Sequence, residues 1–197
     1  MIFHTVVGGI LQQNAYLYGD EEGLFLIDPG SHAADWLTYL NENNLKLTAI
    51  LLTHGHFDHV GAVDALRDAL GVPLWMHEED SIMLSDFAWR GGHNKMPLRP
   101  ADRFLKDGEQ VGGLTVWHTP GHSRGSVCYL AADRIFTGDT LFEGTIGRTD
   151  FRGGDFAAMQ QSLARLATLP DELEVFAGHG NSTTVGREKA TNPYLKG

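Results

Sequence analysis

The sequence predicts an α/β fold in which two sheets pack face to face with helices outside. Two observations carry this. Short apolar or alternating segments come in two groups, each running into a stretch of helical period, so the chain reads as two similar halves. Residues able to bind metal also recur just past the ends of strand-like segments, where α/β sheets place their chemistry. No linker or charge run divides the 197 residues, and a single domain over 1–197 is expected.

Residues 2–7, 14–18 and 23–28 are apolar or alternating and are separated by Gly and Asn, which predicts an antiparallel meander ending in the turn Asp28-Pro29-Gly30. Residues 32–43 follow helical spacing, with Trp36, Leu37 and Leu40 on one face. A strand at 48–53 precedes a His-rich loop and a helix at 60–70. A short strand at 72–76 and a helix at 78–84 follow. Residues 86–102 have no period and read as a long irregular loop, whose Trp89, Arg90, Lys95 and Arg99 either line a substrate entrance or face solvent. Strands are expected at 113–118, 126–132 and 134–137. A Gly-rich loop at 143–154 then leads into a helix at 155–168 capped by Asp155. A strand at 173–177 and a terminal helix from 184, breaking near Pro193, complete the chain. Trp36, Trp75 and Trp117 read as core.

Net charge is −10, which argues against a nucleic-acid partner. No window holds the ~20 apolar residues of a membrane span, and the N-terminus lacks a basic, apolar signal pattern. A cytoplasmic protein without a membrane partner is expected. The one cysteine, Cys128, lies mid-strand and reads as a buried, inert thiol.

The chemistry centres on His54, His56, Asp58 and His59, four metal-capable side chains within six residues after a buried strand. In an extended loop, residues i and i+2 point the same way, so His54 and His56 share one ion. Asp58 and His59, where the chain turns into the helix, reach a second. These imidazole and carboxylate donors suit zinc, iron or manganese. An exposed polar loop is the plainer alternative. Four residues do not complete two sites. Further candidates are His122 in Thr119-Pro120-Gly121-His122, Asp139 in Thr137-Gly138-Asp139-Thr140, and His179 in Gly178-His179-Gly180. Each follows a glycine at a strand end. Singly each reads as structural; with the first cluster they form a set. Asp28 either supports the His loop from behind or simply forms its turn. His4, His32, His77, His93 and His118 read as non-ligands.

That set resembles the metallo-β-lactamase superfamily over nearly the whole chain. The resemblance implies a four-layer αββα sandwich with the site at one edge. It implies two divalent ions, zinc first, with iron or manganese as alternatives. His54, His56 and His122 would hold one ion and Asp58, His59 and His179 the other, with Asp139 bridging. Within the superfamily the chain looks like the glyoxalase II (hydroxyacylglutathione hydrolase) group in its short form. The supporting stretches are His118 to Ser123, Gly138 to Phe142 and Gly144 to Asp150. β-Lactamases of this fold often carry Cys where Asp139 stands, and are usually exported. Arg148 falls near a basic substrate contact of related enzymes; a loop arginine paired with Asp150 is the other reading. Full-length glyoxalase II enzymes hold the glutathione carboxylate with a C-terminal helical domain, whereas 18 residues follow His179 here. Substrate choice is therefore expected to rest on the 86–102 and 143–154 loops.

The implied reaction is hydrolysis of a small-molecule thioester such as S-lactoylglutathione. A metal-bridging water, its pKa lowered from ~15.7 to about 7, would give the hydroxide nucleophile, and Asp58 would both ligate the metal and orient that nucleophile. The alternative is a persulfide dioxygenase, also similar to this family, with one iron held by His54, His122 and Asp139.

Overall fold

Two hydrophobic alternations, one in each half of the chain, build two six-stranded sheets in this computed structural model, which describes residues 1–20, 23–92 and 96–195. His93 and Lys95 lie outside the described residues. In the first half, β1 (Ile2–Gly8), β2 (Gln13–Gly19) and β3 (Leu24–Ile27) form the antiparallel meander. Helix α1 (Ala33–Glu42) carries the chain to β4 (Ala49–Leu51), which lies parallel to β3. Helices α2 (Phe57–Val60) and α3 (Val63–Leu70) then lead to β5 (Leu74–His77). The short α4 (Ile82–Ser85) and α5 (Phe87–Arg90) precede β6 (Arg103–Leu105), and the sheet order is β1-β2-β3-β4-β5-β6.

The second half places β7 (Gln110–Val111), β8 (Leu114–His118), β9 (Val127–Leu130) and β10 (Arg134–Gly138) in an antiparallel run. A hairpin of β11 (Leu141–Phe142) and β12 (Thr145–Ile146) stands apart. After α6 (Phe156–Leu166), β13 (Glu174–Ala177) pairs parallel to β10, and β14 (Thr183–Thr184) and α7 (Val185–Thr191) end the fold. The order is β14-β13-β10-β9-β8-β7.

Side-chain alternation makes the layers. Along β2, β3 and β4, Tyr16, Phe25, Ile27 and Leu51 face inward onto Val116, Tyr129 and Phe136 of the second sheet. Their neighbours Leu17, Leu26 and Ile50 face outward onto Trp36 and Leu40 of α1 and Val63 and Leu66 of α3. On the far side, Cys128, Ile135 and Val175 meet Met159, Leu163 and Leu166 of α6. Three apolar seams between four layers give the αββα sandwich. Trp36 is core as expected; Trp75 and Trp117 are only partly buried, each flanking a core cluster.

Several expected boundaries differ. The helix expected at 60–70 begins earlier and is broken. Its first turn starts at Phe57, and the chain is then pinned where the Ala62 N–H donates to the Pro29 carbonyl. The helix expected over 78–84 is a 3-10 turn at Glu78–Asp80 followed by α4. Within 86–102, α5 forms because the Asp86 carboxylate accepts from the Ala88 N–H at 2.8 Å and caps it. Asp155 caps α6 as expected, accepting from the N–H groups of Ala157 and Ala158. Strands β6, β7, β11, β12 and β14, of two or three residues each, are too short to show a period. No helix among the described residues is long and apolar enough to cross a membrane.

Candidate metal centre

The ends of four strands meet at one edge of the sandwich. His54 follows β4, His122 follows β8 by a tight turn, Asp139 follows β10 and His179 follows β13. His56, Asp58 and His59 come with the turn into α2. The structure brings all seven expected residues together. The donor atoms of His54, His56 and His122 lie within 4.8 Å of one another, and so do those of Asp58, His59 and His179. Asp139 stands between the triads. Its Oδ1 is 3.3 Å from His59 Nε2, and its Oδ2 is 3.5 Å from His122 Nε2 and 3.6 Å from His179 Nε2. Asp58 Oδ2 is 3.1 Å from His179 Nε2 and 3.7 Å from His59 Nε2.

The outward face of each ring decides which nitrogen points inward. The Asp28 carboxylate accepts from His59 Nδ1 at 2.9 Å, from the Thr53 N–H at 2.7 Å and from Thr53 Oγ1 at 2.5 Å. Having donated its proton to Asp28, Thr53 Oγ1 accepts from His54 Nδ1 at 3.0 Å. His122 Nδ1 donates to the Arg148 carbonyl at 2.7 Å, and His179 Nδ1 to the Leu11 carbonyl at 3.0 Å. All four rings therefore present Nε2 to the centre, while His56 approaches through Nδ1, 2.8 Å from His122 Nε2. Asp28 thus supports the His loop, the first of its two expected roles.

These residues fit a pair of divalent ions. His54 Nε2, His59 Nε2 and Asp139 Oδ1 are buried with no hydrogen-bond partner, a cost of about 1–3 kcal/mol each if nothing binds them. Donors around one tetrahedral zinc stand roughly 3.3 Å apart, the range found within the second triad and around Asp139. Glycine makes the convergence possible. A Cβ on Gly178 would sit 2.2 Å from Asp139 Oδ1 and 2.7 Å from His59 Cε1. Gly138, at φ +48°, turns Asp139 inward where a Cβ would strike Thr53.

Charge follows the same geometry. Burial pulls His54 well below the usual imidazole value, helped by the surrounding histidines, and pulls His56 down to about 3. Burial opposes the charge on His59 too, but Asp139 and Asp28 overcome it and hold this ring well above its usual value. In the same way Asp58 and Asp139 raise His179 against its burial. Burial works against both carboxylates, yet Asp139 is held low chiefly by His59, and Asp58 by His179 and His59. The sign for metal binding is then fixed. Without metal, His59 and His179 hold a proton more tightly than a free imidazole does, and an ion must displace it, while the carboxylates are held towards their ionised form. Apparent zinc affinity should rise from pH 6 to pH 8, with up to about tenfold per pH unit for each proton released. Calorimetry of the metal-free protein in buffers of different ionisation enthalpy measures both.

The sequence does not single out Asp80. It is fully buried, and burial pushes its carboxyl up despite its partners. It accepts from the Gly55 N–H at 3.1 Å, Ser123 Oγ at 2.6 Å and the Gly125 N–H at 2.7 Å, tying the His54–His59 loop to the His122 turn. In the sequence it is one of three adjacent acids in Glu78-Glu79-Asp80, which look alike. Asp80→Ala leaves the buried Gly55 and Gly125 N–H groups without their acceptor, while Ser123 Oγ keeps Ser126 Oγ at 2.6 Å, and should cost about 3 kcal/mol. A thermal melt should fall by roughly 6–12 °C.

The remaining expectations divide. His4 stacks on Tyr39, and His32 pairs with exposed Asp35. His77 and His118 form a further cluster with Glu79, but their rings stack in parallel, 4.0 Å apart, rather than converge. Arg148 both pairs with Asp150, at 2.9 and 2.7 Å, and lines the cavity over the centre. Trp89 and Arg90 line that cavity as well. Arg99 does not; it is paired with Asp64 and Asp68 on α3. Cys128 is buried, with its thiol pushed up to about 11 by burial, which leaves it inert. The cavity is about 440 Å³, floored by His56, Asp58, His122, Asp139 and His179 and walled by Leu11, Phe57, Trp89, Phe142, Ile146 and Phe151.

Comparison with known proteins shows the family and the fold. The family model of the Metallo-beta-lactamase superfamily covers residues 8–179. Hydroxyacylglutathione hydrolase GloC of Haemophilus influenzae is 39% identical over 93% of this chain and 93% of its own. Among solved structures, BLEG-1 B3 metallo-beta-lactamase superposes with TM-score 0.93 at 40% identity, covering all of both chains. TTHA1623 in a di-iron-bound form gives 0.87 at 42%, covering 98% of this chain and all of that one. ETHE1 from Myxococcus xanthus gives 0.80 at 34%, covering 98% of this chain and 84% of that one.

Proposed function

The chain belongs to the metallo-beta-lactamase superfamily, and from that premise we propose that it is a dinuclear metal-dependent hydrolase of small-molecule thioesters, of hydroxyacylglutathione hydrolase type. The observation that carries this is the pair of donor triads sharing Asp139, a set of seven with no member missing. His54, His56 and His122 would hold one divalent ion and Asp58, His59 and His179 the other, with zinc the first choice. The likeness to GloC supports a thioester as the substrate class.

When bound, the ions supply Lewis acidity and acidify water to about neutral pKa. The protein supplies the rest. Asp28, Thr53 and the carbonyls of Leu11 and Arg148 hold four imidazoles in the tautomer that turns Nε2 inward. The Asp58 carboxylate, held ionised, receives a hydrogen bond from the attacking water and fixes its direction. Phe57, Phe142, Ile146 and Phe151 exclude bulk water and seat the apolar part of the substrate. The departing thiolate is stable enough to leave without a proton donor, and no side-chain nucleophile is required.

A second reading rests on one iron at His54, His122 and Asp139 in a persulfide dioxygenase, and the di-iron form of TTHA1623 favours iron as an ion to test. Side-by-side assays separate the readings: loss of S-lactoylglutathione, oxygen uptake with glutathione persulfide, and opening of a cephalosporin. Thioester loss that persists without oxygen supports the proposal. Oxygen uptake or cephalosporin opening with no thioester loss overturns it.

A further inference from the structure

The cavity carries positive charge that its chemistry does not use. The chain has a net charge of −10, and seven of its arginines are ion-paired to carboxylates. Arg90 is buried and donates to the carbonyls of Leu84 and Met96. Arg124 and Arg152 are exposed and have no carboxylate partner among the described residues. Both guanidiniums lie over the same ring. Arg152 is 4.3 Å and Arg124 5.2 Å from the centroid of Trp89, which lines the cavity with Arg152.

The arrangement is built rather than incidental. Gly153, at φ +92°, lets the chain turn directly after Arg152. A Cβ there would lie 3.1 Å from the Trp89 ring and 3.7 Å from Arg124 Cγ, so indole, backbone and arginine stem pack in one contact. A guanidinium stacked on an aromatic face keeps its N–H edge free and loses less freedom when an oxyanion binds. Both positive charges are held against one indole, and an anion within reach of both would offset them. Asp150, the nearest acid in sequence, is taken by Arg148.

We propose that Arg152 and Arg124, braced on Trp89, form an oxyanion subsite at the cavity mouth that holds a carboxylate or phosphate on the non-reacting arm of the substrate. This deepens, and rests on, the reading of the cavity as the seat of a small thioester. It makes the preferred thiol carrier an anionic one.

The test is binding without turnover. The metal-loaded protein is titrated by calorimetry with S-methylglutathione, with its dimethyl ester, and with S-methyl coenzyme A. Wild type should bind the free acid at least about tenfold more tightly than the ester, and in an Arg124→Gln/Arg152→Gln variant that preference should fall below about twofold. If the coenzyme A thioether takes the place of the acid and is lost in the same variant, the anion is a phosphate. A wild type that binds acid and ester equally and ignores the coenzyme A thioether overturns the subsite, as does a variant that keeps the preference. Arg152→Gln alone reads the same preference should the double variant not fold. A failure of the thioester reading shows itself separately, as absent hydrolysis with the binding preference intact.

Discussion

Replacing Asp139 by alanine should lower kcat/KM for a thioester at least about a thousandfold, equivalent to several kcal/mol of lost charge stabilisation. The Asp139 carboxylate lies within 3.6 Å of His122 in one triad and of His59 and His179 in the other. In the proposed two-ion site its loss would remove one donor from each ion, and it leaves His59, His122 and His179 without the carboxylate they face. The chain should still fold, because Asp139 sits in a loop after β10 and contributes no apolar contact to the core. Metal analysis is then the sharper readout: the alanine variant should retain fewer ions per chain than wild type, with an unchanged far-UV spectrum. Asp139→Asn, which keeps the shape and halves the donor capacity, should fall between.

Asp28→Ala should cost about 10–100-fold in metal affinity without removing any expected ligand. The carboxylate fixes His59 directly and His54 through Thr53, so one substitution frees the tautomer of two rings. The Thr53 N–H and hydroxyl also lose their buried acceptor, at about 1–3 kcal/mol each. Affinity for zinc and the thermal midpoint should therefore fall together. Asp28→Asn keeps an acceptor for Thr53 but offers an N–H to His59, so it should recover stability more than affinity. Equal recovery of both would contradict a tautomer-setting role.

The ligands could be found in the sequence because their chemistry is concentrated there. His54 to His59 is dense, and His122, Asp139 and His179 each follow a glycine at a strand end, a position set by local sequence. The long alternating strands were legible for the same reason: a period of two over five or more residues defines both the strand and its buried face. What could not be read is what depends on distant partners. Asp80 earns its role from Gly55 and Ser123, 25 and 43 residues away. The Trp89–Arg152 stack joins a four-residue helix, too short to show a helical period, to a loop with no pattern at all. Arg148 shows the limit well, since both of its expected readings, the ion pair and the cavity wall, are present together.

The most direct test of the account is the number of metal ions bound per chain in the active protein, measured by native mass spectrometry alongside elemental analysis. The seven-donor arrangement predicts two divalent ions per chain, with thioester hydrolysis rising in step with the second ion. One ion per chain at full activity, and above all a single iron with oxygen consumption, would contradict it.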